Sequence, residues 1–327
     1  MLEELIDPDL NETPIDMAFK LSKALRKSCE SLTIRDARWL VDVYYTIQND
    51  RIRSAAQLRE SSKSGEPHEV IQWAFTAMNT FEGGIRAALG RFAKRFRVGQ
   101  WLQAQCGIGP VLSAAMLTNF DIRKSKTCAG FWRFAGLDPT LEWKKGQKRP
   151  YNARLKTICT YKLGECFVKT CNNEKGFYGK LYAAKKLEYA AKNDAGGFSE
   201  KAASEIESKG SKMQKTQRIE HWKQGKIAPA HVHDMSRRWA VKMFISHLHE
   251  VMHWDWYNAA PPAPYIIEHP GDANHRHLVI APGPNLHTLD GLPLSSLLTE
   301  PIVVPSNHKP TGVADDAKNA SVDECID

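Results

Sequence analysis

The chain has 327 residues, 42% of them apolar, enough for one large domain or two modest ones with a real core. Its apolar runs are broken by Lys or Arg well short of the roughly 20 residues of a membrane span, and the acidic start MLEELIDPDLNE lacks a basic leader, so neither membrane insertion nor export is expected. The net charge of +8 is uneven: from Arg86 to Lys186, 21 Lys and Arg stand against 5 Asp and Glu, giving +16 there and −8 elsewhere, a one-signed field that suits a polyanion better than it serves solubility.

In chain order, residues 17–29, 33–61 and 68–96 place apolar side chains at three- and four-residue spacings and predict helices. WLVDVYYTI alone would pass for a strand, but it lies inside a longer helical pattern. A Gly-Ile-Gly-Pro turn follows, then helical segments at 125–139, which stops at Gly136 and Pro139, at 152–171, after a basic loop, and at 176–193, which stops at AGG. Residues 199–227 are polar and Lys-rich and suit an exposed helix or arm. The last strong element, His231 to Tyr257, carries a stripe of Trp239, Met243, Phe244, Leu248, Val251 and Met252 and stops at AAPPAP. Beyond about residue 280 the periodicity disappears, predicting a disordered tail. The expected fold is all-α: an N-terminal helical domain at 1–98, a helix-hairpin-helix domain at 99–258, and a Pro-rich, largely disordered tail at 259–327. Seven Cys without a CxxC pair point to reduced thiols and a cytoplasmic protein.

Two features suggest contact with nucleic acid. In QWLQAQCGIGPVLSAAML, Ile108 would pack between two helices while the amides of Gly107 and Gly109 and the next helix's N-terminus face outward, where partial positive charge suits a phosphate. LEWKKGQKRPYNARLK then gathers Lys144, Lys145, Lys148, Arg149, Arg154 and Lys156 around Trp143 and Tyr151, cations for phosphates and rings for bases or sugars. Arg237, Arg238 and Lys242 read equally as a solvated helix face or as phosphate contacts, and Trp239 as core.

CGIGPVLSAAML, FWRFAGLDP, a basic loop, YGKLYAAKK and RRWAVKMFISHLHEVM, in that order over roughly Gln100 to Tyr257, resemble the C-terminal domain of the bridge-RNA-guided insertion-sequence transposases. The chain looks most like phage-borne proteins that carry this domain alone. The resemblance implies DNA binding and recombination, with a RuvC-type N-terminal nuclease and a nucleophilic Ser-Gly shortly after Gly-Leu-x-Pro. Residues 1–98 show neither the strands nor the acids of the former. The latter place reads Glu142, Trp143, Lys144, Lys145, Gly146, and a lysine cannot form the phosphoserine link that recombination conserves. What carries over is DNA binding at Gly107, Gly109, Lys145, Gly146 and Arg154, with no catalytic residue assigned.

A competing motif is His249-Glu250-Val251-Met252-His253, an H-E-x-x-H run on a predicted helix. His249 and His253 lie one turn apart and would hold Zn, with Glu250 polarising a bound water and Glu268, His269 or Asp272 as third ligand. The expectation is thus a protein of a phage or mobile element that binds DNA or structured RNA, without membrane or resident cofactor. It is expected to form a homo-oligomer and to work beside a separate catalytic protein. An active recombinase or nuclease with an unrecognised nucleophile and a zinc hydrolase are the alternatives.

Overall fold

The computed structural model describes residues 20–63, 65, 68–209, 217–262 and 289–299. Its described part is all-α, as the periodicity predicts. Among the described residues there is no strand, and no helix is long and apolar enough to cross a membrane. The chain forms two compact units, Met1–Asp121 with Gly283–Leu298 and Ile122–Pro282 with Thr299–Asp327.

In the first unit, α1 (Lys23–Ser28) leads into two long helices, α2 (Ile34–Ser61) and α3 (Glu69–Lys94). Thr33 starts α2 with a reciprocal capping box, its side chain accepting from the Asp36 amide while the Asp36 carboxylate accepts from the Thr33 amide. The two helices are tied by a buried polar group: the Glu82 carboxylate pairs with Arg51 and also accepts from Gln48 at 3.4 Å. Then come α4 (Arg97–Ala104) and α5 (Pro110–Asn119). Every residue of α5 from Val111 to Thr118 is buried, so this helix, apolar all round, is the centre of the unit and packs on α2, α3 and α4.

Residues 99–121 therefore belong with the N-terminal helices, and the division falls at 121/122 rather than at 98/99. A helix with no polar face cannot sit at a domain's edge, and it recruits the preceding helices as cover. Part of the supposed disordered tail also packs here. Leu292 bridges to Phe96, its amide donating to the Arg95 carbonyl at 2.6 Å and its carbonyl accepting from the Arg97 amide at 3.0 Å, and Leu294, Leu297 and Leu298 are buried. Residues 263–288 and 300–327, and residues 17–19 of the first expected helix, lie outside the described residues.

The second unit holds α6 (Cys128–Phe134), then α7 (Ala153–Thr157), which continues through a π-helical stretch (Ile158–Leu163) into α8 (Gly164–Lys169). It goes on through α9 (Phe177–Asp194), α10 (Ser199–Lys209), α11 (Gln217–Lys223) and α12 (Pro229–Tyr257). The core lies where α9 packs on α12: Phe167 stacks on Tyr178 at 5.1 Å, Phe244 meets Tyr178 edge-on, and the Tyr178 hydroxyl hydrogen-bonds His247 Nδ1 at 2.9 Å. Within the polar 199–227 segment, Ala202, Ile219 and Trp222 form a small core of their own. The Asn193 side chain meanwhile closes both the N–H and the C=O of Ile227.

Candidate nucleic-acid interface

The glycine bend and the basic loop belong to different units, so each stands on its own geometry. In the bend, Ile108 is buried as predicted, with Trp101 and Leu102 of α4 and Leu112, Ala115 and Met116 of α5 also buried. Gly107 is exposed and has φ +91°, a left-handed conformation that favours glycine. Gly109 caps α5, accepting at its carbonyl from the Ser113 amide at 3.0 Å, and the space where a Cβ would stand is open. No backbone carbonyl among the described residues accepts from the Gly107 or Gly109 amide. Pro110 at the first helical position removes a donor that would have had no partner there.

The loop from Leu141 to Lys156 has a defined shape. Its tip is a tight turn closed by the Gln147 amide on the Lys144 carbonyl at 3.1 Å, with Gly146 at φ +92° in the position that requires glycine. The Trp143 indole spans this turn and donates from Nε1 to the Gln147 carbonyl at 2.8 Å, while the Arg149 guanidinium lies over its ring at 5.2 Å. At the base, the Asn152 amide donates to the Phe134 carbonyl at 2.9 Å, and its side-chain oxygen caps α7 through the Leu155 amide. Gly136, at φ +65°, ends α6 against Tyr151, and the Lys156 ammonium sits 4.6 Å over that same ring.

Lys144, Lys145, Lys148 and Arg149 are all exposed, and none forms an ion pair with a carboxylate among the described residues. Arg154 is exposed on α7 and Lys156 is half-buried. The six cations named from the sequence therefore lie on one continuous loop and its helix start. Folding spends no carboxylate on the first four.

Arg237 departs from the expectation for a helix-face cation. It is neither a solvated residue nor free for a phosphate: its side chain is 6% exposed and it pairs with Glu165 and, at 2.7 Å, with Asp234. Its aliphatic part lies across Gly164, where a Cβ would come within 2.7 Å of Cγ, and its guanidinium covers the ring of Tyr161 at 5.1 Å. Tyr161 itself is 58% exposed on the π-helical stretch, a residue no sequence signal singled out. Lys242 covers the Trp132 ring at 5.0 Å, and Trp239, read as core, is only half-buried beneath Lys185.

His249 and His253 do lie along one side of α12, their ring centres 6.1 Å apart. His249 is 2% exposed, meets Phe131 edge-on, and hydrogen-bonds through Nε2 to the Ser125 carbonyl at 3.1 Å; burial holds its imidazole below the ordinary value. A zinc ion on Nε2 would have to displace that carbonyl. His253 is bonded through Nδ1 to the Ala259 carbonyl at 2.8 Å, and burial pushes the Glu250 carboxyl up. Among the described residues no three His, Cys, Asp or Glu side chains converge on a metal position, and Glu268, His269 and Asp272 lie outside them.

Comparison with protein-family models, curated proteins and solved structures finds no match for this chain.

Proposed function

We propose that the protein binds nucleic acid through its sugar–phosphate backbone, with the 141–156 loop as principal contact. One observation carries the reading: Lys144, Lys145, Lys148 and Arg149 stand in solvent without carboxylate partners on a loop whose turn is closed by the Gln147 amide and braced by the Trp143 indole. A cationic side chain already paired gains little from a phosphate. An unpaired one on a preformed loop releases counterions at small entropic cost. The Gly107–Gly109 bend, read as a helix-hairpin-helix turn, supplies a second contact through main-chain amides at the start of α5.

On the resemblance read in the sequence to the transposase C-terminal domain, we propose DNA ahead of other polyanions, with structured RNA next. The missing serine at Glu142–Gly146 leaves strand chemistry to another protein. Binding of labelled duplex, branched DNA, single strands and structured RNA at two salt concentrations tests this reading. Submicromolar binding to at least one that weakens with salt is expected. Failure to bind all four at low salt removes it.

A further inference from the structure

Along α3, Val70, Trp73, Ala77, Phe81, Gly84 and Ala88 recur at three- and four-residue steps and so share one face of the helix. Phe81, Gly84 and Ala88 join Trp39, Leu40 and Val43 of α2, with Leu21 and Leu25, in lining an apolar groove of about 290 Å³. From this face the unit's core takes Ala77 and Ala88, while the larger side chains stay outside it. The buried stripe of α2 is Ala37, Val41 and Tyr44, on another side from Trp39 and Val43.

The large side chains of this face are exposed to solvent: Trp39 is 64% exposed, Val70 60%, Leu25 54%, Trp73 53% and Phe81 41%. No residue of α2 from Tyr45 to Ser61 is buried, nor any of α3 before Ala77, so among the described residues the outer half of the hairpin is a two-helix layer. Helices of this kind gain most of their stability from packing, which two helices alone supply poorly.

We propose that this face pairs with the same face of a second copy of the chain, the two hairpins together forming a four-helix bundle. The area fits. The exposed parts of those five side chains, with the half-buried Leu40, Val43 and Ile47 beside them, amount to roughly 700 Å² at the usual size of such groups, close to the about 800 Å² per partner of a standard interface. The charge also fits. Around the hairpin Asp50 is paired with Arg53, Glu60 with Lys63 and Glu82 with Arg51, so the surface is balanced and apolar, suited to an identical neutral face rather than to a polyanion. Two tryptophans and a phenylalanine on a self-complementary patch are the residue types that dominate such contacts, and a two-fold axis lets one patch serve both partners.

Sedimentation velocity of the full chain over a wide concentration range tests the pairing, which does not depend on nucleic-acid binding. The wild type is expected at twice the chain mass, and the Val70→Glu/Trp73→Glu double variant at the mass of one chain with unchanged helical circular dichroism. Ile52→Glu, at a position 52% exposed but off this face, should leave the dimer intact. A wild type that stays monomeric, a double variant that remains dimeric, or an Ile52→Glu chain that dissociates equally overturns the proposal. If the double variant loses helicity, the milder Trp39→Ala is read in its place. It should weaken association at least tenfold, and an unchanged dimer constant counts as failure.

Discussion

The Arg149 guanidinium lies 5.2 Å from the centre of the Trp143 ring, and that same indole donates to the Gln147 carbonyl at 2.8 Å. One aromatic side chain thus holds both arms of the basic loop while keeping 38% of its own surface in solvent. Trp143→Ala should therefore weaken nucleic-acid binding by about 1–3 kcal/mol, the range for losing a base-stacking ring, without changing the salt slope. Fluorescence anisotropy titrations at three salt concentrations check this, and a wild-type affinity in the variant removes Trp143 from the interface.

The bend makes a separate prediction. Because Gly107 has φ +91° and sits in solvent, Gly107→Val should distort the bend at a cost of on the order of 1–2 kcal/mol, the usual penalty for an L-residue in that region. Binding should fall together with thermal stability. Gly109→Ala, with open space for its Cβ, should leave the melting temperature close to wild type. A loss of affinity in Gly109→Ala without loss of stability would identify the bend as a contact surface.

Glu82 is 7% exposed. Burial pushes its carboxyl up, but hydrogen bonds from Arg51 and Tyr44 outweigh this and hold it below the ordinary carboxylate value. Desolvation, followed by the nearby Glu82 charge, pushes the Tyr44 phenol up to about 12. Removing one partner of a buried pair leaves the other uncompensated, so Glu82→Ala should cost about 3 kcal/mol, the low end for such pairs because Arg51 keeps partial access to water. A depressed carboxylate contributes stability above its unfolded value, about 4.3, that is lost as pH falls through the folded value. Denaturant titrations at pH 7 and pH 3.5 should show the wild type losing this increment and Glu82→Gln retaining a flatter profile.

His249 acts in the same direction, in a higher pH range. Burial depresses its folded value below the ordinary imidazole value of about 6.5, so the unfolded chain binds the extra proton first. Its contribution is complete above pH 6.5 and declines as pH falls below it. His231, lowered by burial and by Lys201 and Arg238, acts in the same direction. Melting temperatures between pH 7.5 and 5.5 should fall in the wild type and fall less in His249→Gln. An identical pH dependence in the two proteins contradicts the assignment.

Much of this architecture was legible in the sequence because local signals set it. Thr33 and Asp36 announce the start of α2, Gly136 the end of α6, and Gly-Ile-Gly-Pro the bend before α5. The misreadings arose where a tertiary partner decides. Arg237 looks like any surface cation until Glu165 and Asp234 meet it across Gly164. The apolar side chains of α5 fit an ordinary amphipathic helix until all sides are seen to be covered, and Leu292 to Leu298 carry no periodicity because a bridge to Phe96 and a 3₁₀ turn hold them. In the candidate site, residue types and spacing gave the cations. What spacing did not give was the Trp143 brace across the turn that carries them.

Whether the loop takes up phosphates is tested most directly by the salt dependence of duplex binding in the wild type and in the Lys144→Ala/Lys145→Ala/Lys148→Ala/Arg149→Ala variant. If all four side chains neutralise phosphates, the slope of log affinity against log salt should become shallower by about 0.9 for each phosphate that is no longer neutralised, with the melting temperature unchanged. Equal slopes in the two proteins would contradict the loop's assignment as the interface.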